Sequence, residues 1–567
     1  MGPKFRNPRT WLYASFALCL AVSCGMESPS SDDLKSANEG ATGGTGGQTG
    51  GGTSGSGGVL PPEVENESYT APAVSGHWIW TANPASGRVA LIDALSTRVT
   101  TANAGLRPTY LASLEHDDEN DSGAVVINVG SQDVSVFHST GGTIDSVETV
   151  PLGAPANRIT MSRSSSFALA WSDAALVPGA DATEGMQDVT VIDLSASPPK
   201  TKRLSVGYRP NRVFVSDDER RAYVVSEPTV SVIRLGGSAT GAVLRDVEIT
   251  SNPTEAPNAR DVTVTPDGAL FFVRRENSPN VEVVSLEDDR HATVVLPGPV
   301  TDLDLAADGR SAFAVVRGHS EPPTAALGAA GAGEPGGVGG DSGGGEGGMD
   351  GGGGGAMDSI VAVLPVPAVL DAPFPSRTFG IEGVFGSIAV SPAGDTALLY
   401  TTAAASDRVV VLDTKTRQHR TVAVQAQVSG AVLAPDGAHA VVLLGRVPGS
   451  VKPAAFSVVP LKSNNAPRLV GTDAPPASVA IGETSALVTV TGPNLPSGVY
   501  LVHLPELSRE LIRLASVPLS AALMPDVGRG FVAQSHPEGR ITFVDLVTGA
   551  PRTITGFELG AKVVTGD

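Results

Sequence analysis

The chain contains 567 residues, with 59 acidic and 39 basic side chains and a formal net charge of −20 at pH 7. This charge argues against nucleic acids and anionic membrane surfaces as partners, because both repel an acidic protein. A hydrophobic fraction of 41% is enough for a buried core, and 67 Gly with 43 Pro are typical of turn-rich β structure.

The chain begins with a cationic and apolar segment. Basic residues at positions 4, 6 and 9 precede an apolar run over residues 11–22, which is short for a membrane span and typical of a secretory signal. The sequence Leu-Ala-Val-Ser-Cys that ends at Cys24 resembles a bacterial lipobox, with Ala21 where Leu is usual.

By this resemblance, residues 1–23 are a lipoprotein signal peptide and Cys24 becomes the lipidated first residue of the mature chain. Several acyl chains anchor a protein firmly, so we expect a lipid-anchored protein of the cell envelope. Gly25 resembles the residue found in lipoproteins sent to the outer membrane, and periplasmic and surface-facing display both stay open. A plain cleaved signal, with Cys24 discarded, is the alternative.

Residues 24–73 are rich in Gly, Ser and Thr and contain few apolar residues. Such a composition does not bury enough surface to fold, so it predicts a disordered tether. A flexible chain of this length has a root-mean-square reach on the order of 40 Å. The remaining residues, 74–567, form the predicted folded domain.

The folded domain repeats a β-rich unit about every 40 to 55 residues, a period that predicts a repeat architecture. The clearest part of each unit is a β-branched run that we interpret as its third strand. Ten such runs begin at Val89, Val134, Val189, Val230, Val281, Ile360, Val409, Phe456, Val499 and Ile541.

Upstream of most runs lies another strand closed by a turn, such as the Pro-Asp-Gly turns at residues 266–268 and 435–437. Pro fixes φ and Gly supplies a positive φ, so these turns predict hairpins. With a second and a fourth strand, each unit becomes a four-stranded antiparallel blade, which predicts an all-β fold, a β-propeller. Ten blades exceed the usual number, so a ring of seven or eight, or two rings, stays open.

The first unit resembles the YVTN repeat family. Trp80-Thr81-Ala82-Asn83, then Val89 to Asp93, then the connector Leu106-Arg107-Pro108, match the strand, strand and Gly-x-Pro connector of that repeat. Later units keep the connector at Gly207-Tyr208-Arg209-Pro210. The resemblance covers most of residues 75–567 and implies a β-propeller, a fold that supports many unrelated functions.

The first unit begins at its second strand, His77 to Thr81, and only a Gly/Ser-rich segment lies ahead of it. Residues 560–566 have the pattern of an unpaired first strand. We therefore predict that the N- and C-terminal strands pair in one blade and close the ring without exposed edges.

A second Gly-rich segment, residues 319–358, interrupts the sixth unit and is predicted to be a disordered insertion. It contains Gly-Asp-Ser-Gly-Gly around Ser342, a serine-protease motif. Poly-Gly flanks cannot hold a nucleophile against an oxyanion hole, so catalysis at Ser342 is not expected.

Other chemical motifs are sparse. The nine histidines never pair at i,i+2 or i,i+4, and no phosphate or dinucleotide fingerprint is present, so we expect no metal, no cofactor and no catalytic residue. The acidic run over residues 115–121 favours a solvated loop over a weak Ca²⁺ site. Asp93, Asp193, Asp413 and Asp545 end third strands and are interpreted as turn residues.

Arg107, Arg209 and Arg212 lie at or just after connectors between units, so we name them as candidate ligand-face residues. The favoured function is a non-enzymatic binding or scaffold module, a monomer that recognises a protein or a surface polymer. The alternatives are a lactonase-like hydrolase, implied by the repeat resemblance, and a small-ligand sensor that uses the propeller channel.

Overall fold

The computed structural model describes residues 73–559 except 115, 117, 119, 174–185, 238–239, 251, 253–254, 256–259, 319–357, 417 and 505. The described residues form ten four-stranded antiparallel sheets, each made from four consecutive strands in sequence order. They are the blades of one β-propeller. The predicted fold class and the count of ten units are confirmed.

Blade 1 comprises β1 (Ala73–Ser75), β2 (Trp78–Asn83), β3 (Arg88–Asp93) and β4 (Val99–Asn103). Blade 2 comprises β5 (Pro108–Leu114), β6 (Asp121–Asn128), β7 (Asp133–Thr140) and β8 (Thr143–Pro151). Blade 3 comprises β9 (Arg158–Met161), β10 (Phe167–Trp171), β11 (Asp188–Asp193) and β12 (Lys200–Ser205). Blade 4 comprises β13 (Arg212–Val215), β14 (Arg221–Val225), β15 (Thr229–Arg234) and β16 (Ala242–Glu248). Blade 5 comprises β17 (Arg260–Val264), β18 (Leu270–Arg275), β19 (Asn280–Ser285) and β20 (His291–Val295).

Blade 6 comprises β21 (Val300–Leu305), β22 (Ser311–Val316), β23 (Ser359–Pro365) and β24 (Arg377–Ile381). Blade 7 comprises β25 (Ser387–Val390), β26 (Thr396–Tyr400), β27 (Arg408–Asp413) and β28 (His419–Ala423). Blade 8 comprises β29 (Val428–Leu433), β30 (His439–Leu444), β31 (Ala454–Pro460) and β32 (Arg468–Thr472). Blade 9 comprises β33 (Pro476–Ile481), β34 (Ser485–Val490), β35 (Gly498–His503) and β36 (Ser508–Arg513). Blade 10 comprises β37 (Pro518–Met524), β38 (Arg529–Gln534), β39 (Arg540–Asp545) and β40 (Pro551–Thr555).

All ten runs predicted as third strands lie in the third strand of a blade. They were recognisable because third strands are covered on both faces, so nearly every residue is apolar, as in β27, where Val409 to Leu412 are all buried. The four aspartates that follow such runs act in turns as predicted. The Asp413 carboxylate, for example, accepts hydrogen bonds from the backbone N–H groups of Lys415 at 2.9 Å and Thr416 at 2.7 Å.

Side-chain packing between blades closes the ring. Ten buried apolar clusters each join two consecutive blades. One of them joins the last blade to the first, with Phe531 and Phe543 packed in the same cluster as Ile79 and Ile92. The clusters therefore form a complete circuit, which makes this a single ring of ten blades.

The predicted exchange of terminal strands is wrong, because blade 1 has its own inner strand. In β1, Ala73, Val74 and Ser75 pair with Trp80, Ile79 and Trp78. Ser75 Oγ donates to the Leu114 carbonyl at 3.1 Å, which ties this strand to blade 2. The predicted tether, 24–73, thus includes the first residue of β1, and the proposed C-terminal strand, 560–566, lies outside the described residues.

The end of the described chain still reaches blade 1, through side chains rather than strand pairing. A short 3-10 helix, Phe557–Leu559, follows β40. Leu559 is buried in the cluster between blades 10 and 1. The Glu558 carboxylate accepts a hydrogen bond from Ser86 Oγ at 2.6 Å and lies 3.5 Å from the Arg88 guanidinium. These contacts join the two ends of the ring.

Two carboxylates fasten the inner strands of blades 6 and 7 to each other. The Asp302 carboxylate accepts the Ile388 N–H at 2.7 Å, and the Asp304 carboxylate accepts the Val390 N–H at 2.9 Å. Burial raises the pKa of Asp304 to about 6, although the backbone N–H groups of Val390 and Leu305 act to lower it.

We predict that Asp304 makes stability depend on pH between about 4 and 6. Because its folded-state pKa is raised, the folded protein holds this proton more tightly than the unfolded chain. The stabilisation is present below about pH 4 and is lost as the pH rises to about 6. The free energy of unfolding of Asp304→Asn relative to the wild type should therefore rise over this window by about 3 kcal/mol and stay flat above it.

Chemical denaturation at pH 4, 5, 6 and 7 measures this difference. Asp407→Asn is the matched control, since it removes one carboxylate that is 62% exposed. Equal pH profiles for the two variants would contradict the assignment.

Candidate functional site

The strand order divides the ring into two faces. The strands of a blade are antiparallel, so successive strands run in opposite directions. One side of the ring therefore carries the starts of the inner and third strands and the ends of the second and outer strands. We call this side the connector face, since it carries the connectors between blades, and the opposite side the turn face. The chain enters the connector face at β1 and leaves it after β40, and the insertion between β22 and β23 also opens there.

Two connectors on this face share the sequence Gly-x-Arg-Pro, at residues 105–108 and 207–210. Their glycines are required by close packing. A Cβ atom on Gly105 would lie 2.5 Å from Ser131 Oγ, and one on Gly207 would lie 1.9 Å from Ser226 Oγ. Each connector is therefore pressed against the loop between the second and third strands of the following blade.

The arginines of both connectors have the same unusual backbone. Arg107 and Arg209 each have φ of 53°, in the left-handed region where a residue with a Cβ costs energy. Backbone hydrogen bonds hold this conformation, from Val129 N–H to the Arg107 carbonyl at 3.1 Å and from Arg209 N–H to the Met186 carbonyl at 2.6 Å. The fold thus holds both side chains at the connector face.

The arginines of the two connectors differ in whether a carboxylate is paired with them. Arg107 is exposed, and no carboxylate among the described residues lies within ion-pair distance of it. Arg209 is 45% exposed and its guanidinium lies 3.0 Å from the Glu227 carboxylate. An exposed apolar side chain precedes each arginine, Leu106 in the first connector and Tyr208 in the second.

Arg212, the third predicted residue, is largely buried and is bound to the neighbouring blade. Its side chain is 15% exposed, lies 3.3 Å from Asp261 and donates to the Val262 carbonyl at 3.2 Å. It therefore joins the inner strands of blades 4 and 5. The structure places Arg107, Arg209 and Arg212 on three different elements, with only the first two at exposed connectors.

The sequence analysis missed two further arginines with a related position. The inner strands of blades 3, 4 and 5 all begin with arginine, namely Arg158, Arg212 and Arg260. Arg158 lies 3.5 Å from Asp173, and Arg260 lies 2.9 Å from Glu255. An alignment of the ten units on their inner strands would have revealed this arc of arginines, which their acidic partners largely neutralise.

Glu255 is the centre of the best-buried part of this arc. Its carboxylate binds both Arg260, which is 4% exposed, and Arg275. Burial acts to raise the pKa of Glu255, but the hydrogen bonds and the charges of the two arginines outweigh it and the pKa is lowered. This ion-pair network holds the connection between blades 4 and 5 against the first two strands of blade 5.

Tyr110 lies close to the start of the arc, on β5. Burial raises the pKa of its phenol, and the positive charges of Arg158 and Arg107 act in the opposite direction. The Tyr110 phenol thus lies within the electrostatic influence of both arginines. The inner strands of blades 1, 2 and 7 to 10 contain no charged residue, so the charge of the channel wall is confined to blades 3 to 6.

Metal and catalytic chemistry gain no support from the described residues. No group of three or more His, Cys, Asp and Glu side chains among them is placed to hold a metal ion. His116 and His138 contact each other edge to face, with ring centroids 6.3 Å apart. Ser342 and three residues of the acidic run, 115, 117 and 119, lie outside the described residues. None of the described helices is long and apolar enough to cross a membrane.

Comparison with known proteins finds only solved structures of low sequence identity. No family model matches the chain, and no curated protein matches it. A eukaryotic initiation factor structure matches with a TM-score of 0.46 at 12% identity, over 75% of this chain and 94% of that one. Dihydro-heme d1 dehydrogenase NirN in complex with DHE matches with a TM-score of 0.41 at 9% identity, over 89% and 80% of the two chains. Hydrazine synthase of Kuenenia stuttgartiensis matches with a TM-score of 0.32 at 13% identity, over 61% and 95%.

We predict that Arg260 is required for stability rather than for recognition. Arg260→Ala leaves Glu255, which is 12% exposed, with Arg275 as its remaining arginine, so the free energy of unfolding should fall by about 1–3 kcal/mol. The half-exposed pair of Arg209 and Glu227 should contribute under about 1 kcal/mol. Urea denaturation of Arg260→Ala and Arg209→Ala tests the contrast, and equal losses would contradict it.

Proposed function

We propose that this protein is a binding module of the bacterial cell envelope, held to a membrane by a lipidated Cys24 and presenting its propeller to a protein partner or a surface polymer. The observation that carries the binding role is the pair of Gly-x-Arg-Pro connectors. Both present an exposed apolar side chain and an arginine on one face of a closed ring. Tyr and Arg are enriched among the residues that dominate binding energy at protein interfaces.

The anchor rests on the lipobox resemblance, with residues 24–72 as the segment between the lipid and β1. Because the chain enters the ring at the connector face, this segment joins the propeller on the side of the two connectors. An outer-membrane site, with periplasmic or surface-facing display, fits Gly25 after the lipidated cysteine.

The small-ligand alternative has less support. A small anion would need free positive charge in the channel, but Arg158, Arg212 and Arg260 are bound to Asp173, Asp261 and Glu255. A hydrolase would use the same carboxylates for chemistry, and these carboxylates are occupied by arginines. The exposed connectors therefore favour binding of a macromolecule.

The anchor is tested with the full-length protein expressed in a Gram-negative bacterium. We expect the wild type to fractionate with membranes and to carry a mass increase from acylation on its N-terminal peptide. Cys24→Ala should be released into the soluble periplasmic fraction. Recovery of unmodified Cys24 in a mature peptide, or loss of the first 24 residues, would contradict lipidation.

The binding role is tested by a pull-down from envelope extracts with the soluble domain, residues 73–567. The domain has to begin at Ala73, because β1 is part of blade 1. We expect a reproducible partner that is lost when Leu106 and Tyr208 are both replaced by Ser. Phe374→Ser is the matched control, since Phe374 is 63% exposed but lies between β23 and β24, on the turn face. Loss of the partner with the control variant, or no partner at all, would contradict the proposal.

A further inference from the structure

A depression lies on the connector face where blades 1 and 2 meet. It is lined by residues 84–87, from the loop between β2 and β3, by Leu106 and Arg107 of the first connector, and by Gly130 of blade 2. Its volume is about 530 Å³ and it opens to solvent. It is therefore an open surface depression that a few side chains can occupy, rather than an enclosed small-molecule pocket.

The walls of the depression are fixed by their own hydrogen bonds. The Gly130 N–H donates to the Leu106 carbonyl at 2.9 Å, and the Leu106 N–H donates to Ser131 Oγ at 3.0 Å. In the opposite wall, the Ala85 N–H donates to Asn83 Oδ1 at 2.9 Å. The site is therefore preformed, which lowers the entropy cost of binding.

The depression combines apolar side chains and the positive charge of Arg107 with the Ser86 hydroxyl, which donates a hydrogen bond to the Glu558 carboxylate. Leu106 is 67% exposed, and Pro84 and Ala85 add apolar surface on the other side. The Arg107 guanidinium supplies the charge, and no described carboxylate neutralises it. A matching ligand therefore combines an anion with an aliphatic group.

The second connector lacks this combination, although its sequence motif is the same. Arg209 is bound to Glu227, so a ligand carboxylate would have to displace an existing partner. The Gly-x-Arg-Pro motif alone therefore does not produce an exposed arginine without a carboxylate partner. Such an arginine is a property of the first connector.

We propose that this depression binds an acidic segment of a partner protein, with an Asp or Glu carboxylate on Arg107 and a neighbouring aliphatic side chain against Leu106 and Pro84. The inference rests on the proposed binding function and names the partner class. An anionic polysaccharide would satisfy the charge but would leave the apolar wall in contact with polar groups. The apolar half of the site thus favours a peptide. Because the net charge of −20 repels acidic partners in general, an acidic segment is expected to bind only where a local positive charge is exposed.

The test is selection of 12-residue peptides from a random phage-displayed library on the soluble domain, residues 73–567, followed by affinity measurement with synthetic peptides. We expect the selected peptides to contain Asp or Glu beside Leu, Ile or Val. Replacing the acid by its amide should weaken binding at least about tenfold, the range expected for a charge-assisted pair at a protein interface.

Variants of the domain locate the site. Leu106→Ser and Arg107→Asn should each weaken binding at least about tenfold. Asn tolerates the left-handed backbone, so Arg107→Asn should keep the wild-type melting temperature. Arg209→Asn is the matched control, since it makes the same change at the same backbone conformation, and should change the affinity less than about twofold.

Three outcomes would overturn the proposal: no enriched peptides, peptides that bind Arg107→Asn as well as the wild type, or competition by dextran sulfate that removes binding while the amide-substituted peptides still bind. The envelope pull-down separates this proposal from the proposed function. If Arg107→Asn retains the partner that the wild type captures, the binding function stands and the depression is not its site.

Discussion

Contact between neighbouring sheets is the constraint on which the whole ring depends. Each blade is buried on both faces, and successive residues of its middle strands enter different clusters. In β2, Ile79 packs towards blade 10 and Trp80 towards blade 2, and both are fully buried. The blades are therefore stable only as neighbours, because each sheet alone would expose two apolar faces.

The same constraint explains what the sequence predicted well. A strand buried on both faces has a nearly continuous β-branched run, so the third strand of every blade was recognisable in the sequence. Most inner strands are less completely buried than third strands, and β1 has only three residues, Ala, Val and Ser. Such a strand has no pattern that separates it from the Gly-rich segment before it, which is why the closing of the ring was predicted wrongly.

The candidate site was predictable in position but not in chemistry. The connectors identified Arg107 and Arg209, since Gly and Pro mark turns in any sequence. Whether an arginine is free depends on carboxylates that come from other strands, such as Asp261 of blade 5 beside Arg212 of blade 4. These partners are set by the packing of blades, and one sequence read alone does not reveal which side chains become neighbours in space.

The placement of β1 has a mechanical consequence. Its three residues pair with β2 at the start of the described part of the chain. A tensile load applied through the segment that precedes β1 would act on the backbone pairs of β1 one after another, beginning with Ala73 and Trp80, as in peeling rather than shearing. The ring would thus yield first at its smallest strand, and the load on β1 would pass to β2 and, through the hydrogen bond from Ser75 Oγ to the Leu114 carbonyl, to blade 2.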